Sequence, residues 1–213
     1  MTITHHLDDA TLMSFAAGAL PAALSAVAAA HVAMCPHCRS EVVALEGVGA
    51  ALLTALPAAR MERAEPTTPY AAGPTPSQQR GEASAAPMQS PTLLARLLPL
   101  GLDAVRWRWL GLGVWHHQLP VKGNGALGLL KVAPGRIVPE HGHGGSELTL
   151  VLRGSFHDTT GRYRTGDVAD LDETVEHEPV ADPGPDCVCL FASETPARFR
   201  GLIARLVQPW HGL

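Results

Sequence analysis

The chain has 213 residues, enough for one ordinary domain or two small ones, and its 46% apolar and 17% charged content describes folded protein rather than a disordered tail. A net charge of −4 excludes the basic footprint expected of a nucleic-acid binder. Four cysteines, Cys35, Cys38, Cys187 and Cys189, are too few and too closely paired for a secreted disulfide scaffold, and they suit a reducing cytosol.

Composition divides the chain into residues 1–56, Ala-rich and helical in pattern; 57–91, rich in Pro, Ser, Thr and Gly, a linker; 92–100, a short amphipathic segment; and 101–213, where β-branched residues and recurring glycines shorten the pattern to strands. The fold class expected is two-domain α + β, two modules on a tether. The stretch from Ala10 to Cys38 carries no Asp, Glu, Lys or Arg, yet it is alanine-dominated, broken by Gly18 and Pro21, and preceded by Asp8 and Asp9 rather than a basic flank. That composition describes soluble helices, not a membrane span or a signal peptide.

In the first module, Asp8 or Asp9 is placed to cap a helix carrying Leu12, Phe15 and Ala19, with Gly18 near its end. Pro21 suits the first turn of a second helix, whose stripe runs through Leu24 and Val27 to His31. Pro36 opens a third, with a stripe at Cys38, Val42, Leu45, Gly49, Leu52 and Leu56. Three short Ala-rich helices make a poor core, and a domain of about 50 residues needs a metal, a disulfide or a partner.

The segment "HVAMCPHC" supplies a candidate staple. His31, Cys35 and Cys38 are spaced H-x3-C-x2-C, which places all three on one helical face around the bend that Pro36 allows. Thiolate sulfur and imidazole nitrogen suit Zn²⁺ in a closed tetrahedral site. The fourth ligand is open among His5, His6 and His37. His37 sits inside the C-x2-C loop and cannot easily turn back onto the ion, whereas His5 or His6 can approach from the N-terminal segment.

An upstream His with H-x3-C-x2-C on short helices resembles the zinc-binding anti-sigma factors. In that family a small helical domain wraps a bacterial sigma factor and keeps it off RNA polymerase. The resemblance implies His31, Cys35 and Cys38 as zinc ligands. It also implies His6 as the fourth, because the family's upstream ligand lies about one residue before the first helix's leading Leu, here Leu7.

Leucines 93, 94, 97 and 98 around Arg96 give the 92–100 segment one apolar side. It serves equally as a helix capping the second module, as the last helix of the first, or as a partner-binding helix.

In the second module, Gly135, His141, His143, Glu147 and Gly154 are spaced G-x5-H-x-H-x3-E-x6-G. The pattern resembles the first motif of the cupins, small metal-binding β-barrels. Residues alternating along a strand put His141 and His143 on one side, and Glu147 returns to that side after the Gly144-Gly145 turn. Leu148, Leu150 and Leu152 then face away as a barrel wall. The second cupin motif implies His177 as fourth ligand, eleven positions after Gly166, with Asp172 and Thr174 where the family has Pro and Gly, so the turn there must differ. Three imidazoles and one carboxylate suit zinc first, with manganese, iron or nickel as alternatives.

The acidic residues near His177 (Asp167, Asp170, Asp172, Glu173, Glu176 and Glu178) read as a solvated loop. Cys187 and Cys189 read as buried packing, and His116, His117 and His157 as candidates for the barrel mouth.

An N-terminal zinc domain followed by a cupin of this length resembles the ChrR-type anti-sigma factors over essentially the full chain. The resemblance implies a cytoplasmic regulator that binds one extracytoplasmic-function-type sigma factor, touches neither DNA nor membrane itself, and performs no catalysis. It further implies release of the sigma factor when the cupin registers singlet oxygen or related peroxides. The alternative is a metal-dependent cupin dioxygenase or isomerase carrying a zinc-stapled interaction domain.

Overall fold

The computed structural model describes residues 2–57, 101–123, 125–195 and, by backbone alone, 198–199. The expected linker beyond Pro57, the amphipathic segment at 92–100 and residues 200–213 lie outside the described residues.

Three helices open the fold: α1 (Asp9–Ala16), α2 (Ala22–Met34) and α3 (Pro36–Ala55). Asp8 caps α1 by accepting the Thr11 N–H at 2.6 Å. The chain leaves α1 through Gly18 at φ 66°, a left-handed conformation that glycine adopts without a Cβ clash. Pro21 precedes α2, and Pro36 stands in the first turn of α3, where its missing N–H is harmless.

The stripe expected on α3 is buried only in its first half. Cys38 and Val42 are buried and Leu45 is half-buried, but Gly49, Leu52 and Leu56 are exposed. The reason is length: α3 has 20 residues against 13 in α2, so its last turns outrun the helix beside it.

Among the described residues twelve strands follow: β1 (Arg108–Gly111), β2 (Val114–Gln118), β3 (Ala126–Val132), β4 (His141–Gly142), β5 (Glu147–Arg153), β6 (Ser155–His157), β7 (Arg162–Arg164), β8 (Val168–Leu171), β9 (Glu176–His177), β10 (Val180–Ala181), β11 (Cys187–Ser193) and β12 (Arg198–Phe199). They form a six-stranded sheet in the order β1-β2-β3-β11-β5-β8 and two three-stranded sheets, β10-β6-β7 and β12-β4-β9. Every pairing is antiparallel.

Alternation along the strands sorts side chains onto two faces. One set, including Val114, Val132, Val151, Phe156, Cys187 and Cys189, packs together as the barrel's inner core. The opposite set, Leu127, Leu129, Leu148, Leu150, Val168 and Leu190, shares a core with Leu24, Val27 and Ala28 of α2. The leucine wall foreseen from the sequence is therefore covered by α2, and the helices and the barrel are joined through one hydrophobic core. Beside Leu24 and Val27 the α2 alanines present only methyl groups to their surroundings, and Ala23, Ala28 and Ala30 are fully buried.

The turn where Asp172 and Thr174 replace Pro and Gly closes by other means. Asp172 Oδ1 accepts the N–H and hydroxyl of Thr174 at 2.8 and 2.6 Å, an Asx turn that reverses the chain ahead of His177.

Two candidate metal centres

In the helical part, His6, His31, Cys35 and Cys38 converge so that their potential ligand atoms all lie within 4.8 Å of one another. His31 comes from the last turn of α2, Cys35 from the junction and Cys38 from the first turn of α3. His6 arrives from the extended strap ahead of α1. Its Nδ1 stands 3.3 Å from Cys35 Sγ and 3.6 Å from Cys38 Sγ. His5 takes the other side of the strap, its ring 4.4 Å from that of Tyr163 in the barrel. Successive side chains of an extended segment diverge, which separates the two candidates that spacing alone left open. The His37 ring lies against that of His6 at 4.5 Å.

The protonation pattern fits an ion at this place. His31 Nδ1–H donates to the Gly166 carbonyl at 3.0 Å, which leaves Nε2 bare and aimed at Cys38 Sγ, 3.3 Å away. Four ligands held about 2.0–2.3 Å from a tetrahedral ion stand about 3.3–3.8 Å from each other, and these spacings match. Burial lowers the His31 pKa to about 4, keeping the imidazole neutral. Burial also pushes the Cys38 thiol up to about 12, so a thiolate there needs a cation as counter-charge.

In the barrel, His141, His143, Glu147 and His177 converge within the same 4.8 Å limit, all four buried. Strand β4 pairs with β9 so that His141 lies directly opposite His177. His141 Nδ1–H donates to the Pro139 carbonyl at 2.8 Å, and His177 Nδ1–H donates to Asp158 Oδ2 at 2.8 Å. Both Nε2 atoms are then bare acceptors, yet they face each other at 3.2 Å, and His143 Nε2 lies 3.3 Å from that of His177. Lone pairs so opposed fit a shared cation. Burial lowers the His141 pKa to about 4. Burial opposes ionisation of Glu147, but the surrounding imidazoles, His143 foremost at 3.0 Å, outweigh it and hold the carboxyl below its usual range. Thr149 Oγ1 donates to the other Glu147 oxygen at 3.1 Å.

The remaining sequence candidates fall into place around these centres. Cys187 and Cys189 lie side by side in the inner core with Sγ atoms 3.7 Å apart, and the hydrogen bond that the Cys189 thiol gives to Cys187, together with burial, keeps that thiol well above its ordinary pKa. His116 is buried on the inner face beside Phe191, and burial lowers its pKa to about 4. His117 bonds the Arg106 carbonyl instead, and His157 the Asp182 carboxylate.

Two of the acidic residues read as a solvated loop do something else. Asp167 is buried and accepts the backbone N–H groups of Thr4 and His5 at 2.7 and 3.1 Å, and Asp170 accepts that of Asp8 at 3.0 Å. They hold the N-terminal strap onto the barrel, a long-range role invisible to local composition. Asp158, which orients His177, was likewise missed; its only local signal is the D-x-x-G turn of "HDTTG".

Among the described residues, no helix is long and apolar enough to cross a membrane. Residues 100–196 match the family described as ChrR Cupin-like domain. The anti-sigma-E factor ChrR of Cereibacter sphaeroides is 40% identical over 210 residues, covering 99% of each chain. The crystal structure of Rhodobacter sphaeroides SigE in complex with the anti-sigma ChrR contains a chain 38% identical, with TM-score 0.74, covering 90% of this chain and 100% of that one. The match spans the helices as well as the barrel, and the chain belongs to the ChrR family of anti-sigma factors.

Proposed function

We propose that this chain is a cytoplasmic anti-sigma factor that binds one extracytoplasmic-function-type sigma factor, inhibits it, and releases it on an oxidative signal, singlet oxygen or related peroxides. The observation that carries the reading is the end-to-end similarity to a relative named as an anti-sigma-E factor, together with the 38% identical chain of the SigE–ChrR complex. Residues 1–56 form the sigma-binding part and 101–213 the sensing part, joined by the linker. His6, His31, Cys35 and Cys38 hold a structural zinc that substitutes for a core too small to stand alone. His141, His143, Glu147 and His177 hold a second divalent metal, zinc favoured over manganese, iron or nickel, which when bound supplies a Lewis-acidic centre at the site of sensing.

The overhanging end of α3 gives the sigma factor a surface. Val48, Leu52, Leu53 and Leu56 are all more than half exposed, an apolar cluster that a folded protein does not keep without use. The family relationship favours this regulatory reading over the enzymatic one.

The test is reconstituted transcription driven by an extracytoplasmic-function-type sigma factor. The chain should suppress transcription at one-to-one stoichiometry, and a singlet-oxygen source should restore it. Turnover of small oxidisable substrates with no effect on transcription would favour the enzyme.

A further inference from the structure

The polar links between the barrel and the helical metal centre fall largely within one segment, residues 158–167, which comprises the β6–β7 loop, β7 and the turn into β8. At its start, Asp158 Oδ2 accepts the His177 Nδ1–H, and both side chains are withdrawn from solvent. The other oxygen, Oδ1, accepts the N–H and hydroxyl of Thr160 at 2.8 and 2.6 Å and the Gly161 N–H at 3.1 Å. The carboxylate that fixes His177 thus also fixes the loop.

That loop supports the strap. A Cβ added to Gly161 would stand 3.0 Å from His5 Nε2, so a larger residue there would push the ring by a few tenths of an ångström. The His5 ring rests on Tyr163, whose hydroxyl is 2.8 Å from Thr160 Oγ1. At the segment's far end, Asp167 accepts from Thr4, His5 and, at 2.8 Å, the Arg164 N–H, while Gly166 accepts from His31. One cupin ligand, His177, and two helical ligands, His6 and His31, are therefore all positioned by this segment.

We propose that residues 158–167 couple the two metal centres, with Asp158 and Asp167 as positioning residues through which occupancy of the cupin site sets how tightly His6 and His31 hold their ion. This rests on the two-metal reading above and supplies the physical link by which a change at the cupin reaches the helices. Leaving the buried Asp158 Oδ2 without its donor is costly, so movement of His177 favours movement of Asp158 and, through the Thr160 and Gly161 bonds on Oδ1, of its loop. His6 follows His5 across one rigid peptide unit, so displacement of His5 reaches a ligand directly. The effect must be reciprocal, because a coupling free energy has no direction.

Cobalt as the probe metal tests this in the full-length chain. Only the thiolate-bearing centre gives sulfur-to-cobalt charge transfer, so its affinity can be read by chelator competition apart from the cupin site. Disabling the cupin site with Glu147→Ala should change affinity at the thiolate centre by about fivefold or more. Asp158→Asn should loosen metal in the cupin by about ten- to a hundredfold and shift the thiolate centre in the same direction. Asp167→Ala should weaken the thiolate centre by itself and remove its dependence on the cupin. Asp167→Asn, which keeps an oxygen for the Thr4 and His5 N–H groups, should restore part of both. Should Asp167→Ala fail to fold, the unaltered chain against Glu147→Ala still decides. Equal thiolate-centre affinity in those two, at unchanged circular dichroism, overturns the coupling and leaves the two-metal reading standing. Absence of the charge-transfer band from the unaltered chain overturns both.

Discussion

His31, on the last turn of α2, and Gly166, in the turn between β7 and β8, are 135 positions apart in sequence and joined by a 3.0 Å hydrogen bond. Gly166 has φ 94°, so its carbonyl direction depends on a conformation that other residues adopt only under strain. Gly166→Ala should destabilise the protein by about 1–2 kcal/mol. It should also speed loss of zinc from the His31 centre to a chelator. Unchanged release kinetics in a measurably destabilised variant would show that the Gly166 carbonyl does not orient His31.

Cys35→Ser or Cys38→Ser should each lose one zinc per chain and loosen α1–α3, because the ion stands in for missing apolar volume. Metal analysis with circular dichroism checks this. Full helicity and sigma binding without metal would refute a structural zinc.

Leu52→Glu together with Leu56→Glu alters side chains each 66% exposed, so folding and metal content should not change. Affinity for the sigma factor should fall at least about tenfold, as for loss of an apolar anchor. Titration of inhibited transcription measures it, and an unaltered inhibition curve would move the sigma surface elsewhere.

His116 predicts an acid sensitivity with a definite sign. Its folded pKa of about 4 lies below the ordinary 6.5, so between these values the unfolded chain binds the proton that the folded chain refuses. The stability contributed by the neutral imidazole is present above about pH 6.5 and is lost as pH falls toward about 4. His116→Gln, which cannot ionise, should flatten the decline of melting temperature across that window. A slope identical to that of the unaltered chain would show that other groups carry the acid response.

A fragment of residues 1–90 retains His6, His31, Cys35 and Cys38 and should still inhibit the sigma factor. Lacking the cupin centre, it should not respond to a singlet-oxygen source. It should also melt below the full chain and bind hydrophobic dyes, since Leu24 and Val27 of α2 lose the sheet that covers them. Normal release of sigma by the fragment under oxidant would place sensing at Cys35 and Cys38.

Local signals carried a large part of this structure. The Asp8 cap (one of the two acids offered for it), the proline in the first turn of α3 and the convergence of both His/Cys and His/Glu spacings rest on residues close in sequence. Pro21, expected in the first turn of α2, stands one position before it. The joining of helices to barrel was not legible. A Pro/Ser/Thr-rich stretch between two modules suggests independence, and nothing in an alanine-rich helix announces which surface it will cover. The same limit hid Asp167 and Asp158, whose partners are 163 and 19 positions away, and left Leu52 and Leu56 in a stripe that the short α2 could not reach.

The shared core also dictates an order of assembly. Thr4 meets Asp167 across 163 positions, and α2 is complete on the ribosome long before β11, the strand at the centre of the wall it covers, has been made. Contacts so distant in sequence close late and slowly. Until β11 is inserted, both the α2 stripe and the leucines of β5 face water, and such intermediates are the ones that aggregate or recruit chaperones. A nascent chain arrested before Cys187 should therefore be bound by chaperones, and extension past Ser193 should release it.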